Sequence, residues 1–297
     1  MSEPLTFAWL KSRALISLGG PDWRGFLQGL ITQDVETLQP GEARFGALLT
    51  PQGRLLFDLF VVAREEGCWL DVLAEHRTQI IQRLTMYRLR AKVSIEADET
   101  AVSILYSAHP RAGGDPSGGS APSDSAWIPA FAGTSGFVTD PRLPALGWRG
   151  YGAEPPAGAE IVDEAARDAA KLVLGVPGPA DWGSDKTYPI EANFDLLNGI
   201  DFQKGCFVGQ ETTSRMKRRG QVKSRMLPIA FNGPTPEAGA EVLAGDLRAG
   251  VVTSVGVGRA IALLRLDRAE GQALSVDGRA VRLERPAWFR EALGEDA

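Results

Sequence analysis

Cysteine and histidine are scarce in this chain: its 297 residues hold only Cys68, Cys206, His76 and His109. Two widely separated cysteines exclude a disulfide-stapled scaffold. Together with two histidines, they also exclude a zinc finger or a four-cysteine iron–sulfur site built within one chain, and no permanently bound metal is expected. This cysteine usage predicts a reducing setting, and a cytoplasmic one is expected. No apolar run approaches the roughly 20 residues of a spanning helix. Met1 to Leu10 lacks a cationic start followed by an apolar stretch. Neither a membrane span nor a signal peptide is therefore expected, and a soluble intracellular monomer is. Also missing are a G-x-x-x-x-G-K-[ST] loop and a G-x-S-x-G nucleophile turn, and Gly256-Val257-Gly258 has no helix-starting glycine after it. Positive charge is in deficit as well, with 32 Lys and Arg against 37 Asp and Glu. Polyanion binding would therefore need a local patch.

The 44% apolar content is that of a globular protein able to bury a core. Ala14 to Leu18 reads as a strand, and Asp22 offers a helix N-cap before Phe26, Leu27, Leu30 and Ile31 at helical spacing. Phe45–Leu49 and Leu55–Val62 flank Thr50-Pro51-Gln52-Gly53, a hairpin signal because Pro presets φ and Gly accepts φ > 0. Cys68–Leu73 predicts another strand. Glu75–Leu89 predicts a helix with Ile80, Ile81, Leu84 and Tyr87 on one face, and Ala91–Ile95 predicts a strand. Hairpins among alternating strands and helices favour a mixed α+β fold, with residues 1–98 as its first unit.

Residues 99–220 read as a second unit. Within it, His109 to Ser125 has 13 of 17 residues that are Pro, Gly, Ser or Ala. Such a stretch buries too little apolar surface to offset its ordering entropy. We read 109–136 as an insertion between strands Val102–Ser107 and Gly136–Thr139; the rival reading is a functional lid. Ile161–Leu174 predicts an amphipathic helix. In residues 221–297, Met226–Phe231, Val251–Val257, Ala260–Leu266 and Ala280–Leu283 alternate with Gly and Asp-Gly turns, predicting a small antiparallel β-barrel.

The densest polar cluster is Lys204-Gly205-Cys206-Phe207-Val208-Gly209-Gln210-Glu211. Two glycines bracket the cysteine and free the backbone to turn sharply. If that turn brings Lys204 to the thiol, its cation favours the reactive thiolate. The plainer reading is that a lone cysteine is a small buried hydrophobe. Downstream, Arg215, Lys217, Arg218, Arg219, Lys223 and Arg225 put +6 into eleven residues without an acid, so the rest of the chain carries −11. This patch suits a polyanion, such as a folate polyglutamate tail, a phosphate backbone or an acidic partner; a solvated linker is the alternative. No aromatic residues are interleaved with it, so base stacking is not indicated. Asp58 lies in the apolar run Leu55 to Phe60, on the face of Leu56 and Phe60 by period-2 counting. An acid facing inward there is costly unless paired, which makes it a site candidate; an exposed acid is the alternative.

KGCFVGQE, at Lys204 to Glu211, resembles the K-G-C-[FY]-x-G-Q-E signature of the YgfZ family, folate-binding proteins related to the T-protein (aminomethyltransferase) of the glycine cleavage system. Phe26 to Val35, Leu49 to Arg54 and Tyr87 to Val93 resemble the same family. The resemblance implies a T-protein-like folate-binding α+β core followed by a C-terminal barrel, with tetrahydrofolate as ligand. It implies iron–sulfur clients or assembly proteins as partners, including radical enzymes that thiolate tRNA. Cys206 is then the functional thiol with Lys204 beside it, Gly205, Phe207, Gly209, Gln210 and Glu211 complete the motif, and Asp58 and Glu191 remain as candidates at the folate cleft.

The chain departs from the T-protein pattern where Arg167 to Gly175 lies on R-D-x-L-R-L-E-A-G: the glutamate falls on Val173. The paired aspartates after the hairpin turn fall on Phe57 and Asp58. Aminomethyl transfer needs positioned acids, so their loss argues against that reaction and against conventional turnover. A folate-dependent one-carbon transferase or demethylase, and a non-catalytic tRNA or client-docking module using the basic patch, stay as alternatives.

Overall fold

A computed structural model describes residues 5–107, 136–218, 220 and 222–295. The predicted insertion, apart from Gly136, and Arg219 of the basic run lie outside them. The chain begins with β1 (Leu5–Trp9) and then crosses to a second sheet. There β2 (Arg13–Gly19), α1 (Trp23–Gln28), β3 (Ala43–Leu49), β4 (Leu55–Ala63), β5 (Cys68–Leu73), α2 (Arg77–Arg88) and β6 (Ser94–Asp98) follow in turn. The chain returns to the first sheet with β7 (Val102–Ser107), β8 (Phe137–Thr139), β9 (Trp148–Tyr151) and β10 (Glu160–Val162). The strand orders are β10-β1-β7-β9-β8 and β3-β4-β5-β2-β6. Among the described strands of these two sheets, only β1 with β10 is parallel.

The period-2 alternation of the second sheet explains its two faces. Ile16, Leu18, Leu59, Val61, Leu70 and Val72 point outward and are covered by Trp23 and Leu27 of α1 and by Ile80 and Leu84 of α2. Leu15 and Val62 point the other way and pack with Ala8, Ile104, Tyr106 and Tyr151 of the first sheet. Tyr87, expected on the buried face of α2, is exposed, because the side of α2 that meets the sheet is that of Ile80, Ile81 and Leu84. The strand predicted at 91–95 begins at Ser94, where pairing with Gly19 starts.

After the sheets come α3 (Glu164–Val173), α4 (Pro179–Trp182) and α5 (Gln210–Arg218). The helix predicted from Ile161 starts later, with Asp163 as its N-cap accepting from Ala166 N at 2.8 Å. Ile161 instead pairs with Phe7 of β1, so strand pairing overrides its helical spacing. The barrel closes in the order β11-β14-β13-β12-β15-β16. Its elements are β11 (Ser224–Phe231), β12 (Glu241–Ala244), β13 (Leu247–Val255), β14 (Arg259–Arg265), α6 (Leu266–Ala269), β15 (Leu274–Val276), β16 (Arg279–Leu283) and then α7 (Ala287–Leu293). Arg225 joins barrel to core: it forms a bidentate pair with Asp195 at 2.8 and 2.9 Å, while Met226 N donates to Glu191 O at 2.8 Å. Arg225 is thus buried, and the expectation that it belongs to an exposed basic patch is corrected. Among the described residues no helix is long and apolar enough to cross a membrane.

Candidate functional site

Two candidate sites stand out, and the fold keeps them apart. The first is the Lys204 to Glu211 loop, which straddles the edge strand β3. Phe207 packs with Phe45, Ala47 and Leu49 on the inner face of the sheet, whereas Val208 joins the outer core. Val208 N donates to Gly29 O at 3.2 Å. Gly209 has φ +82°, and a Cβ there would lie 2.6 Å from Thr50 O. It meets Gly53, with φ +84°, at the tip of the β3–β4 hairpin. These two glycines let the motif seat on the hairpin turn. Gly205 shows no such requirement: nothing lies within 4 Å of its added Cβ.

Lys204 does not serve the thiol as expected. Its Nζ donates to the carbonyls of Gln28, Ile31 and Gln33, each at 2.8 Å, and lies 5.3 Å from the centre of the Phe207 ring. The carbonyls left over after α1 take all three ammonium protons. Cys206 between these anchored neighbours is exposed, whereas Cys68 is buried and its thiol is pushed well above the usual range by that burial. Gln210 opens α5, and Glu211 pairs with Arg215 at 2.5 Å. Beside them an open groove of about 690 Å³ is lined by Phe202, Phe207, Lys217 and Arg218 among others. Lys217 lies 5.3 Å from the centre of the Phe202 ring.

The second site is a cavity of about 450 Å³ between the second sheet, β9 and α3. Asp58 lines it from β4 and accepts from Arg13 Nη1 at 2.9 Å. Arg13 also donates to Asp71 Oδ1 at 2.7 Å, Arg149 to Asp71 Oδ2 at 3.0 Å and Arg142 to Asp140 at 2.7 and 2.9 Å. Arg149 spans to Asp140 at 3.4 Å, and Tyr151 donates to Asp71 at 3.0 Å. All six charged side chains are at most 8% exposed. Three guanidiniums against three carboxylates leave the network neutral, as burial requires. Burial pushes the Asp71 and Asp140 carboxyls up, but the arginines beside them outweigh it and hold both well below the usual carboxylate range. Phe60 sits amid the three guanidiniums, whose carbons lie 3.8 to 5.4 Å from its ring centre.

The α3 wall adds Arg167, Asp168 and Lys171, and Phe57 and Trp182 supply aromatic surface. Burial, with Arg167 next to it, depresses Lys171 from 10.5 to about 8. Asp71, Asp140, Arg142, Arg149, Arg167 and Lys171 were not singled out from the sequence as site residues. Asp71 carried the same signal as Asp58, an acid within an apolar strand, in Cys68-Trp69-Leu70-Asp71-Val72-Leu73. Glu191 does not join Asp58. It accepts from Tyr188 N at 2.9 Å, does not line the cavity, and its carboxyl is raised by burial. No residue of the Cys206 motif lines the cavity either.

Comparison with known proteins gives a family model, relatives and a solved structure. Residues 223–291 match the family model of the CAF17 C-terminal beta-barrel domain. The chain is 32% identical over 252 residues to the mitochondrial iron–sulfur cluster assembly factor IBA57 homolog of Neurospora crassa, covering 78% of this chain and 55% of that one. It is 30% identical over 250 residues to the mitochondrial iron–sulfur cluster assembly factor IBA57 of Homo sapiens, covering 77% and 67%. The chain thus spans little more than half the length of the fungal relative. The crystal structure of glycine cleavage system aminomethyltransferase T from Bartonella henselae superposes with a TM-score of 0.72 at 18% identity, over 96% of this chain and 86% of that one. The fold is therefore that of aminomethyltransferase T, with mixed sheets and helices and a closed C-terminal barrel. The expected cytoplasmic setting is corrected: these relatives are mitochondrial and point to that compartment instead. Cysteine usage reports a compartment's redox state and not which compartment it is.

Proposed function

The chain belongs to the family of the IBA57 proteins, and from that membership we propose that it acts in assembly or repair of iron–sulfur clusters in client enzymes, with Cys206 as its functional thiol. Within the family we read it as a YgfZ-like member, on the Lys204 to Glu211 signature. The observation that carries the proposal is the presentation of Cys206. It is exposed, while Lys204, Phe207, Val208 and Gly209 around it are tied to the core. A thiolate is the metal-binding form of cysteine. With Cys68 buried, the chain offers one accessible thiol, so a cluster handled here is a substrate shared in transit with thiolates of an assembly or client protein.

We further propose tetrahydrofolate as the ligand of the cavity. Phe57 and Trp182 offer faces on which a flat ring packs, Asp58 offers a carboxylate to ring N–H donors, and about 450 Å³ lies within the usual range for small-molecule sites. These three residues would hold the ring. Bound tetrahydrofolate would supply a one-carbon carrier or a reducing pterin. Phe57 and Val173, at the acid positions of the T-protein pattern, support no aminomethyl transfer.

The test is deletion of the gene, assay of iron–sulfur enzymes, and complementation. The wild-type chain should restore them and Cys206→Ala should not; full restoration by Cys206→Ala overturns the proposal. For folate, a hundredfold excess over Kd should stabilise the protein by about 2.7 kcal/mol through mass action. An unchanged melting temperature at saturating tetrahydrofolate removes the ligand.

A further inference from the structure

Charge in the cavity is arranged in two groups. The inner one, Arg13, Arg142 and Arg149 against Asp58, Asp71 and Asp140, is balanced. The group on α3 is paired more loosely, because its Glu164 faces Ser12 and not either cation. Arg167 and Lys171 stand one helical turn apart, 11% and 15% exposed, and share Asp168, whose Oδ1 lies 2.9 Å from one and 3.6 Å from the other. Asp168 is 55% exposed, so solvent weakens it as a counterion. The other acids nearby make no ion pair with either cation, although Asp140 favours charged Arg167 and Asp181 charged Lys171 from farther away. Asp58 holds Arg13, Glu164 accepts from the Ser12 amide and hydroxyl, Glu75 lies 3.6 Å from His76, and Asp181 accepts from Gly178 N and Thr253 Oγ1.

Arg167 and Lys171 thus share one half-exposed ion-pair partner on the cavity wall. Burial lowers the basicity of both, and Arg142 and Arg149 for Arg167, and Arg167 for Lys171, lower it further. The Lys171 amine also packs onto backbone, since a Cβ on Gly178 would sit 2.4 Å from Nζ. A wall serving stability alone would be apolar or fully paired.

We propose that Arg167 and Lys171 form an anion subsite of the cavity, taking a carboxylate or phosphate group of the ligand. This rests on the reading of the cavity as a ligand site. A guanidinium presents a planar fork to such a group and an ammonium a compact charge, so the pair grips an anion from two sides. The incoming charge relieves the repulsion between them.

The test is calorimetric titration of the full chain with three probes: inorganic phosphate, p-aminobenzoylglutamate, and a tetrahydropterin without a tail. At least one of the two anions should bind. Arg167→Gln and Lys171→Gln should each weaken that binding about tenfold or more, and Lys171→Arg should retain it. Melting curves check that the variants fold. Binding of p-aminobenzoylglutamate alone identifies a folate-like tail, and binding of phosphate alone a phosphorylated ligand. The proposal is overturned if neither anion binds the wild-type chain, or if both substitutions leave anion binding unchanged. The tail-less pterin reports separately: if it fails to bind, the folate reading falls while the anion subsite stands or falls on its own arms.

Discussion

Replacing Lys171 with methionine should make the protein more stable at neutral pH. The ammonium is depressed from 10.5 to about 8, chiefly by burial and then by Arg167. A depression of that size corresponds to a cost on the order of 3 kcal/mol for holding the charged form in the fold. Below about pH 8 the amine is protonated in both folded and unfolded chains, and the folded chain bears the whole cost. Between about 8 and 10.5 the folded chain releases its proton first, the unfolded chain binds more protons, and stability rises with pH. Above 10.5 both forms are neutral and the cost is gone. Methionine keeps a similar volume and removes the charge, while Asp168 retains Arg167 at 2.9 Å. With an unfolding entropy of about 2.1 cal/mol/K per residue, 297 residues give about 0.6 kcal/mol/K. Lys171→Met should then melt about 5 °C higher at pH 7, and the gap should close towards pH 10.5. Scanning calorimetry of both chains across that range is the assay. A variant that melts lower at pH 7, or an offset that does not change with pH, would refute the reasoning.

Three further outcomes are expected. Asp71→Asn leaves Arg13 and Arg149 facing a neutral amide in the interior and should cost about 3–5 kcal/mol, read as a lowered melting temperature or loss of soluble protein. Lys204→Met removes three bonds to the Gln28, Ile31 and Gln33 carbonyls. It should destabilise by about 1–3 kcal/mol and speed hydrogen exchange at the Val208 amide. A neutral alkylating agent at pH 7 should modify Cys206 in the folded protein and Cys68 only on unfolding, since Cys68 is buried and its thiol raised; peptide mass mapping distinguishes the two.

Local signals made much of this fold legible. The β3–β4 hairpin follows from Thr50-Pro51-Gln52-Gly53 between alternating strands, and the barrel from short β-type runs separated by glycine turns. Pairings between distant segments were not legible. Ile161 has helical spacing with the residues of α3, yet its strand is set by β1, which lies more than 150 residues away. At the site, the Cys206 motif was readable as a string, but the role of Lys204 was not. Two residues of separation suggested service to the thiol, whereas the carbonyls it binds are 171 to 176 residues distant. Charge counting placed Arg225 in a basic patch suited to a polyanion because composition cannot see Asp195 across the junction. Asp71 was legible in principle by the rule applied to Asp58, since an acid within an apolar strand needs a buried cation wherever it occurs.

The parallel pairing of β1 with β10 also sets an order of events during synthesis. Strands β2 to β6 complete a sheet within residues 13–98, and the barrel strands lie within 224–283, so both can assemble from neighbouring sequence. β1 cannot. Phe7 finds its partner in Ile161, 154 residues later, an interval of roughly 8–30 s at ribosomal speeds of about 5–20 residues per second. Through that interval one edge of an apolar strand waits unpaired outside the ribosome. That edge stays open to wrong partners until β10 arrives, and it is one that a holding chaperone would have reason to grip.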